Sequence, residues 1–401
     1  MQGEADVIVV GAGPSGLYSA FTAANMGVEV VVFEEHEEVG LPSHCAGHIS
    51  INGLKNLGLY VPQKIVENEI SGAAFYSPSG REFRVKFVSP VTCVINRAMF
   101  DQYLARIAER SGATILVGSK VESLLSQRGF VNGVSLKNGQ EWHSKTIIDA
   151  EGCASRLSKQ IPLQGFDRSS VVTAVNCEVD HIEEVENDVV EVYLGKKYAP
   201  GLYAWIIPRR DGSAKVGLAT RTGNPKAHLE RFLRSHPIAK RKIKRKSVMN
   251  LSYHLIPLGG PIPKTYHNGF LAVGDVASQV KPTTGGGIVM GLTCARIAGK
   301  TVAQAVQQND FSERFLSEYQ HQCQKATGFD MIMMKHIRSM LNHLSDSKID
   351  RLIDLCSKWN VGEDLQKVRD IDFQGRAIIP LLKSPGILTV VFYSLLASII
   401  P

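Results

Sequence analysis

The sequence lacks the features that mark secreted, metal-binding and membrane-spanning proteins. Its seven cysteines form no CxxC pair, so no zinc or iron–sulfur site is predicted. Residues 1–10 do not have the basic and then apolar pattern of a signal peptide. The apolar stretch at 387–400 has 14 residues, whereas a spanning helix needs about 20. These absences predict a cytoplasmic protein with free thiols and without a bound metal.

Positive charge is concentrated in one segment. The net charge is +7, and the stretch KRKIKRK at 240–246 has six basic residues of seven. A solvated surface would explain this run, and so would attraction to anionic lipid headgroups, at about 1 kcal/mol for each basic residue near the membrane. No aromatic residues are interleaved with the charges, so nucleic acid is not an expected partner.

The strongest pattern in the chain lies at its start. An apolar run at 6–10 predicts a buried parallel strand, and GAGPSG at 11–16 has the spacing GxGxxG. Residues 17–26 then predict a helix, and residues 28–33 predict a second strand that ends at Glu34. Strand, turn, helix, strand and acid in this order predict a dinucleotide-binding unit.

Each residue of that unit has a physical role. Gly11 permits the tight turn, Gly13 lets the backbone approach a pyrophosphate, and Gly16 lets the helix pack closely on the strand. The N terminus of the helix stabilises the phosphate charge. Glu34 is positioned to accept hydrogen bonds from ribose hydroxyls, and its charge disfavours a 2'-phosphate. The dinucleotide should therefore be FAD or NAD, not NADP.

A second glycine-rich segment favours FAD. The sequence GFLAVGDVASQVKPTTGGGIVMGL at 269–292 predicts a strand, a loop with three consecutive glycines and a helix. It resembles the second fingerprint of the para-hydroxybenzoate-hydroxylase-like flavoproteins. The resemblance implies that Asp275 binds the ribityl chain and that the backbone of Gly285, Gly286 and Gly287 lies close to the isoalloxazine ring. The helix N terminus would also stabilise an anionic reduced flavin.

Two shorter segments resemble other parts of this superfamily. NRAMFDQYLARIAERSGATIL at 96–116 resembles its arginine-led helix, which implies that Arg97 contacts the flavin phosphates. IIDAEGCASRLSK at 147–159 resembles its Asp-Gly motif, with Glu151 in place of the aspartate. Either segment alone is also typical of an amphipathic helix or a buried strand. The residues that the resemblance assigns to FAD are Gly11, Gly13, Pro14, Ser15, Gly16, Glu34, Glu35, Cys45, Ala46, Gly47, Arg97, Val121, Glu151, Gly152, Asp275, Pro282, Gly285, Gly286, Gly287 and Ile288.

A different periodicity separates these nucleotide-binding segments. REFRVKFVS at 81–89 alternates, and apolar runs occur in VVEVYLG at 189–195 and YAWIIPRRDGSAKVGLAT at 203–220. Asp211 and Gly212 form a strong hairpin signal. These segments predict an inserted antiparallel sheet that covers the flavin and shapes a pocket at the domain boundary.

The predicted hairpin contains the most specific local motif. PGLYAWIIP at 200–208 matches the pattern PxxYxWxFP of the geranylgeranyl reductase family, with Ile207 in place of phenylalanine. Together with the cysteine loop and both flavin fingerprints, the chain resembles members of the archaeal lipid type. The resemblance implies that Tyr203, Trp205 and Pro208 line a lipid pocket. Packing in the sheet core would explain the two aromatic residues equally well.

The loop GLPSHCAGHIS at 40–50 carries the candidate acid. In the family that the chain resembles, a cysteine here lies near the flavin and takes part in alkene reduction. An isolated alkene has no carbonyl to accept electron density, so hydride addition to one carbon must be matched by protonation of the other. We expect Cys45, His44 or His48, or a water they hold, to donate that proton. Many members have an acid shortly after the cysteine, whereas Ala46 and Gly47 follow here, and a small buried hydrophobe is the alternative role for the thiol.

The patterns together predict an α/β protein. It has a Rossmann-like FAD-binding core, an inserted antiparallel β-sheet substrate domain and a helical C-terminal extension. The predicted core comprises 1–165, with 57–95 contributing partly to the substrate sheet, and 248–307. The substrate domain is predicted at 166–247 and the helical region at 308–401. Its apolar tail predicts an interfacial anchor or a lid, with packing on the core as the alternative.

The resemblance implies FAD-dependent saturation of isolated double bonds in geranylgeranyl chains, above all those of archaeal digeranylgeranylglycerophospholipids. A flavin monooxygenase and an electron-transfer flavoprotein that reduces a quinone are alternatives on the same fold. The expected partners are a geranylgeranyl lipid, a membrane surface and an external electron donor, either ferredoxin or a reduced pyridine nucleotide. Peripheral association with the membrane is therefore expected.

Overall fold

The computed structural model describes residues 3–243, 248–368 and 370–399. Its strands are β1 (Gly3–Val10), β2 (Val30–Phe33), β3 (His48–Ser50), β4 (Val66–Ile70), β5 (Gly72–Tyr76), β6 (Glu82–Lys86), β7 (Thr92–Ile95), β8 (Thr114–Leu116), β9 (Val121–Gln127), β10 (Phe130–Leu136), β11 (Glu141–Asp149), β12 (Val171–Val179), β13 (Val189–Tyr193), β14 (Gly201–Pro208), β15 (Ala214–Thr220), β16 (Val248–Pro257), β17 (Tyr266–His267) and β18 (Phe270–Ala272).

The helices follow the strands of the core and dominate the C-terminal region. They are α1 (Pro14–Ala24), α2 (Ile51–Asn56), α3 (Arg97–Arg110), α4 (Pro225–Ser235), α5 (Ala239–Lys242), α6 (Ile288–Gln308), α7 (Glu313–Cys323), α8 (Phe329–His343), α9 (Asp346–Lys358), α10 (Val361–Leu365), α11 (Gln374–Leu381) and α12 (Pro385–Ile399).

The nucleotide-binding core is a parallel sheet in the order β18-β11-β1-β2-β8. Helices α1, α3 and α6 cover one face, where Leu17, Phe100 and Leu292 are fully buried. The antiparallel hairpin β9-β10, which pairs with β11, covers the other face. Both faces are covered, as the continuous apolar strands require. This arrangement confirms the predicted Rossmann-like core.

The second sheet has the order β16-β12-β15-β14-β13-β5-β6. Its neighbouring strands are antiparallel except β5 and β13, which are parallel. The predicted Asp211-Gly212 turn joins β14 to β15, and Gly212 adopts φ +82°. One face packs on α4, where Leu229 and Phe232 are buried. The other face is an apolar layer that includes Trp205 and Ile207 and contacts Ala46 of the cysteine loop.

The domain boundaries differ from the predicted ones at one place. Residues 248–257, predicted to begin the second part of the core, form β16 and pair along their length with β12 at the edge of the second sheet. Its residues pair with positions 69 to 86 earlier in the chain, and no local pattern encodes such a partner. The predicted contribution of 57–95 is divided: β5 and β6 join the second sheet, whereas β4 and β7 form a small sheet with β3.

The helical C-terminal region packs on both parts of the molecule. Leu316 and Tyr319 of α7 join the apolar core beneath α6. Helices α9, α10 and α12 pack against β6 and one another around Ile353 and Ile387. None of the described helices is by itself both long and apolar enough to cross a bilayer, and α11 and α12, bent by 120° between them, meet that requirement only as a pair. Residues 244–246 of the basic run at 240–246 lie outside the described residues.

Candidate functional site

The turn between β1 and α1 has the shape that a pyrophosphate requires. Gly11 adopts φ +101°, and a Cβ at Gly16 would lie 2.0 Å from the carbonyl oxygen of Gly11. A Cβ at Gly13, in contrast, would meet no atom within 4 Å. Pro14 is the first residue of α1, and the missing N–H of proline is tolerated there. Space beside Gly13 therefore faces the N terminus of the helix, where an anion is stabilised.

Glu34 lies beside this turn, as predicted. Its Oε2 atom accepts the backbone N–H of Ala12 at 2.8 Å, and its Oε1 atom accepts that of His36 at 3.0 Å. These bonds fix the buried carboxylate at the end of β2. Glu35 is different, because its exposed side chain pairs with Lys120 at 2.7 Å, and that hydrogen bond lowers the pKa of Glu35.

The two fingerprints meet through Ser15. If Gly274 carried a Cβ, that atom would lie 2.7 Å from Oγ of Ser15, and a Cβ on Gly291 would lie 2.5 Å from it. Glycine at these positions lets α1 pack directly against α6 and the strand end before it. The structure thus brings together segments that are far apart in the sequence.

Asp275 lies where this second fingerprint meets α6. Its Oδ1 atom is 3.2 Å from the position of a Cβ on Gly287, and its Oδ2 atom is 3.5 Å from Nε2 of His254 and 3.8 Å from Sγ of Cys153. Helix α6 begins at Ile288, and its N-cap residue is Gly287, which has no side chain to accept a hydrogen bond. The first N–H groups of α6 therefore face this region without a side-chain acceptor. Asp275 therefore lies at a site suited to hydroxyl and anionic groups.

Side chains of the C-terminal region contact the glycine loop at 281–287, and the sequence did not predict these contacts. Lys281 and Asp372 form an ion pair at 2.8 Å, and the Thr283 hydroxyl donates to Gln374 at 2.5 Å. Arg338 is buried, and its Nε donates to the carbonyl oxygen of Pro282 at 3.1 Å. Gly285 adopts φ +71° between these contacts and α6. The loop that would lie against the flavin is thereby braced from outside the core.

The predicted Asp-Gly motif has a largely structural environment. Oε1 of Glu151 accepts the backbone N–H of Leu157 at 3.1 Å, and burial raises the pKa of Glu151. Gly152 adopts φ +70° and has open space around its α-carbon. Val121 begins β9 and its side chain is buried in the core, so only its backbone is available to a ligand.

The cysteine loop extends from the core onto the second sheet. Cys45 is exposed, and its sulfur accepts the backbone N–H of Gly47 at 3.4 Å. The His44 carbonyl oxygen accepts a hydrogen bond from the Asn176 side chain at 2.7 Å. Gly47 adopts φ +71°, and a Cβ there would lie 2.3 Å from the carbonyl oxygen of Ile95. The thiol is therefore held at the junction between the core and the apolar face of the sheet.

Arg97 lies behind this thiol. It forms a bidentate pair with Asp101, at 3.2 Å and 2.9 Å, and its charge is close enough to the Cys45 side chain to interact with it. Burial opposes its charge, but Asp101 and the sulfur outweigh burial and hold the pKa of Arg97 above its usual value. Asp101 thus holds the Arg97 guanidinium in the structure, and the contact of Arg97 with the flavin phosphates stays a prediction.

The two histidines of the loop have separate neighbours. They have HxxxH spacing, yet the His44 ring stacks on His254 at 6.2 Å, whereas Nε2 of His48 lies 2.6 Å from the Thr92 hydroxyl. Burial, with a smaller effect of the Lys281 charge, lowers the pKa of His48 to about 4. Burial also lowers the pKa of His44. Both imidazoles are therefore mainly neutral near pH 7.

The predicted pocket residues are divided between two faces of β14. Tyr203 and Trp205 lie on the apolar face below the cysteine loop, with their rings edge-to-face at 5.9 Å. The Tyr203 hydroxyl donates to the Thr284 carbonyl oxygen at 2.7 Å. Strand alternation turns Pro208 to the opposite face, and its carbonyl oxygen accepts a hydrogen bond from Asn68 at 2.9 Å. The structure does not bring Pro208 together with the two aromatic residues.

These features fit FAD. The space at Gly13 suits a pyrophosphate, Glu34 suits a ribose, and Asp275 with the uncapped N terminus of α6 suits the ribityl chain and the flavin. The chain matches the model of the FAD binding domain family over residues 4–328. That match covers more than half of the chain and includes both fingerprints.

Curated proteins and a solved structure narrow the family. The digeranylgeranylglycerophospholipid reductase of Methanocaldococcus jannaschii is 33% identical over 90% of this chain and 93% of its own length. The similarly named reductase 2 of Methanopyrus kandleri is 31% identical over 91% of this chain and 95% of its own length. A geranylgeranyl bacteriochlorophyll reductase-like protein of Thermoplasma acidophilum superposes with a TM-score of 0.87, at 25% identity, over 98% of this chain and 100% of its own.

A flavin-dependent brominase also superposes, with a TM-score of 0.71 at 17% identity over 97% of both chains. At that identity the likeness shows the fold alone. The relatives are named as reductases, and together with the FAD binding domain they identify an oxidoreductase that uses FAD. The chain belongs to the digeranylgeranylglycerophospholipid reductase family.

Proposed function

We propose that this protein saturates the geranylgeranyl chains of digeranylgeranylglycerophospholipids at a membrane surface, with Cys45 as the proton donor. The observation that carries the proposal is the position of the Cys45 thiol. It is exposed at the junction between the FAD-binding core and the apolar face of the second sheet, and Arg97 lies behind it. A thiol that only filled the core would be buried, as five of the other six cysteines are.

The reaction needs a proton and a hydride on adjacent carbons. Bound reduced FAD supplies the hydride. Cys45 supplies the proton: its S–H bond breaks as the new C–H bond forms, and the sulfur is left as a thiolate. The Arg97 guanidinium next to the sulfur stabilises that negative charge.

The histidines are less suitable as proton donors. A neutral imidazole carries one N–H, and His48 uses its Nε2 atom in the bond with Thr92. Its lowered pKa, about 4, means that few molecules carry the second proton near pH 7. We therefore assign His44 and His48 to the shape and hydrogen bonding of the loop, and proton donation to the thiol.

The apolar face of the second sheet would hold the prenyl chain. Trp205 and Tyr203 form its aromatic part, and Ile207 and Val190 extend it. The Tyr203 hydroxyl is already bonded to the Thr284 carbonyl oxygen, so its ring presents apolar surface. A chain lying here would pass below the cysteine loop, where Ala46 contacts the same layer.

Helix α12 would bring the site to the membrane. Leu388, Phe392, Leu395 and Leu396 are exposed, and their spacing of four, three and one places them on one side of the helix. Ile379 and Leu382 of the adjoining α11 segment are exposed as well. Helix α12 is predominantly apolar, and its 15 residues are too few to cross a bilayer, so it would lie in the interface. This surface supports reduction of a lipid that remains partly in the bilayer.

An anaerobic experiment tests the proposal. The flavin is reduced chemically, a geranylgeranyl glycerophospholipid is added in vesicles, and flavin reoxidation is followed together with lipid mass. We expect reoxidation coupled to a gain of two hydrogen atoms for each reduced bond. Reoxidation by a quinone, with the prenyl chains unchanged, would instead identify an electron-transfer flavoprotein. Gain of an oxygen atom, with oxygen consumed, would identify a monooxygenase.

A further inference from the structure

A buried lysine approaches the candidate acid from the second sheet. Lys215 lies in β15 on the same face as Ile207, and only 6% of its surface is accessible. Its ammonium group lies 2.5 Å from Oε2 of Glu67 and donates to the Ile95 carbonyl oxygen at 2.9 Å. A buried lysine is costly unless it is paired, and Glu67 provides the pairing.

The same ammonium group is next to the cysteine loop. A Cβ on Gly47 would lie 3.3 Å from the Lys215 nitrogen, and the backbone N–H of Gly47 donates to the Cys45 sulfur at 3.4 Å. Arg97 approaches the sulfur as well, from α3. Lys215 and Arg97 are therefore both close to the exposed thiol.

The two cations differ in what they can do. Arginine keeps its proton, and the partners of Arg97 raise its pKa further. Burial lowers the pKa of Lys215, although the charge of Glu67 opposes this effect. A lysine whose pKa is lowered releases a proton more readily than an exposed one. Only Lys215 is therefore suited to exchange a proton with the sulfur.

Glu67 lies between Lys215 and the surface, because its Oε2 atom is buried against the ammonium group while 21% of its side chain is accessible. The Glu67 carboxylate is partly exposed and lies 3.6 Å from Nε of Arg209, which in turn pairs with the exposed Glu178. Near the loop, Nδ1 of His44 and Oδ1 of Asn176 are buried and have no hydrogen-bond partner within the described residues. Buried polar atoms without a protein partner usually bond to water.

We propose that Lys215 returns a proton to the Cys45 thiolate after each reduction, with Glu67 linking Lys215 to solvent. The proposal rests on the proposed function, since it requires Cys45 to lose its proton to the alkene. One N–H bond of the ammonium group breaks and the S–H bond of Cys45 forms again. The Glu67 carboxylate takes up a proton from solvent and passes it to the neutral amine, so one solvent proton is consumed for each reduced bond. Lys215 thus does not act on the alkene itself, and it contributes by restoring the proton of Cys45.

Two variants separate charge from proton transfer. Lys215→Met removes both, and Lys215→Arg keeps the charge but does not release a proton. Lys137→Met, at an exposed position on the turn after β10, is the matched control. Flavin absorbance and thermal melting establish that each variant folds with FAD.

The first readout is independent of turnover. Cys45 is the exposed cysteine, so iodoacetamide should label it first, and mass spectrometry of its peptide gives the rate. Labelling requires the thiolate, so we expect Lys215→Met, which removes a positive charge beside the cysteine loop, to slow labelling severalfold. Lys215→Arg and Lys137→Met should react as the wild type does. Unchanged labelling in Lys215→Met would overturn the proposal.

The second readout is the pH profile of lipid reduction. The groups that face Lys215 are Glu67, Arg209 and Cys45, with Arg97 across the sulfur. We expect Lys215→Arg to lose at least tenfold in turnover at about pH 8 and to recover toward pH 6, where solvent supplies the proton. Turnover equal to the wild type at both values would show a purely structural charge and overturn the proposal. If the arginine variant does not bind FAD, the profile of Lys215→Met decides in the same way.

Failure of this inference is distinguishable from failure of the proposed function. If Cys45→Ala reduces the lipid at the full rate, the thiol is not the donor and the proposed function is wrong. If Cys45→Ala is inactive while the Lys215 variants label and turn over normally, only the role of Lys215 is wrong.

Discussion

The Nζ atom of Lys281 lies 2.8 Å from Oδ1 of Asp372, so the glycine loop before α6 and the C-terminal helical region share an ion pair. Only 2% of the Asp372 side chain is accessible. Asp372 immediately precedes the segment that leads into α11, one of the two helices with exposed apolar residues. The helices proposed to contact lipid therefore begin only two residues after Asp372, which holds the glycine loop beside the flavin site.

Asp372→Asn should weaken FAD binding. Removal of one partner from a buried pair costs about 3–5 kcal/mol, because the other charge is left unpaired. Here the unpaired charge is in the loop that holds the flavin, so we expect the dissociation constant to rise at least tenfold in a fluorescence titration of apoprotein with FAD. Lys367→Met is the control, because Lys367 is 70% exposed in its pair with Asp364 and such pairs contribute about 0–1 kcal/mol. Equal affinity in both variants would contradict the bracing role.

Gly13→Val should abolish FAD binding without unfolding the protein. A Cβ at this position meets no protein atom within 4 Å, so the added side chain occupies only the space assigned to the pyrophosphate. Gly165→Val is matched, since a Cβ there also meets nothing within 4 Å. Circular dichroism should be unchanged for both, and only Gly13→Val should be purified without flavin. Retention of FAD by Gly13→Val would place the pyrophosphate elsewhere.

Buried His236 should make the free energy of unfolding decrease as the pH falls below neutral. Its Nδ1 atom accepts backbone N–H groups of Ile238 and Ala239, at 3.2 Å and 3.3 Å, and its Nε2 atom is 3.1 Å from the Ser77 carbonyl oxygen. Burial lowers its pKa to about 4 from 6.5. The unfolded chain therefore takes up a proton first as pH falls, so the stabilisation is present above about pH 6.5 and is lost toward pH 4.

Urea unfolding at a series of pH values measures this loss. His236→Gln should show a shallower decrease in the free energy of unfolding than the wild type, with His48 accounting for part of the remainder. His321→Gln, at an exposed position of α7, should keep the wild-type slope. A slope in His236→Gln as steep as that of the wild type would show that His236 is not the source.

Phe392→Asp should reduce membrane binding. Phe392 is 64% exposed in the centre of the apolar side of α12, and a carboxylate there opposes insertion among lipid chains. We expect a smaller bound fraction in vesicle flotation, with flavin content and melting unchanged. Val88→Asp replaces an exposed apolar residue outside that helix and should bind as the wild type does. Equal flotation of the two variants would leave α12 without a membrane role.

Local signals account for what the sequence predicted well. The GxGxxG turn, Glu34 and the Asp211-Gly212 hairpin each depend on residues close in the chain, and the structure has the strand, helix and turn that they predict. The predicted helix at 17–26 begins earlier, at Pro14, because proline is tolerated in the first turn.

Contacts between distant segments account for what was missed. Lys215 lies within a strand pattern, and its bond to Ile95 joins positions 120 apart. The bracing of the glycine loop by Arg338 and Asp372 likewise depends on how separate helices pack. Periodicity and spacing within one segment do not encode such partners. The FAD fingerprints could therefore be predicted, whereas the surroundings of the thiol could not.

The most direct test of the account is anaerobic reduction of a geranylgeranyl glycerophospholipid by prereduced wild type, Cys45→Ser and Cys45→Ala, each with full flavin content. Flavin reoxidation and lipid mass are measured in the same samples. We expect the wild type to add two hydrogen atoms to each reduced bond and both variants to lose at least a hundredfold in rate. Wild-type rates in both variants would contradict the assignment of Cys45 as the proton donor. Unchanged prenyl chains in all three proteins would contradict the proposed substrate.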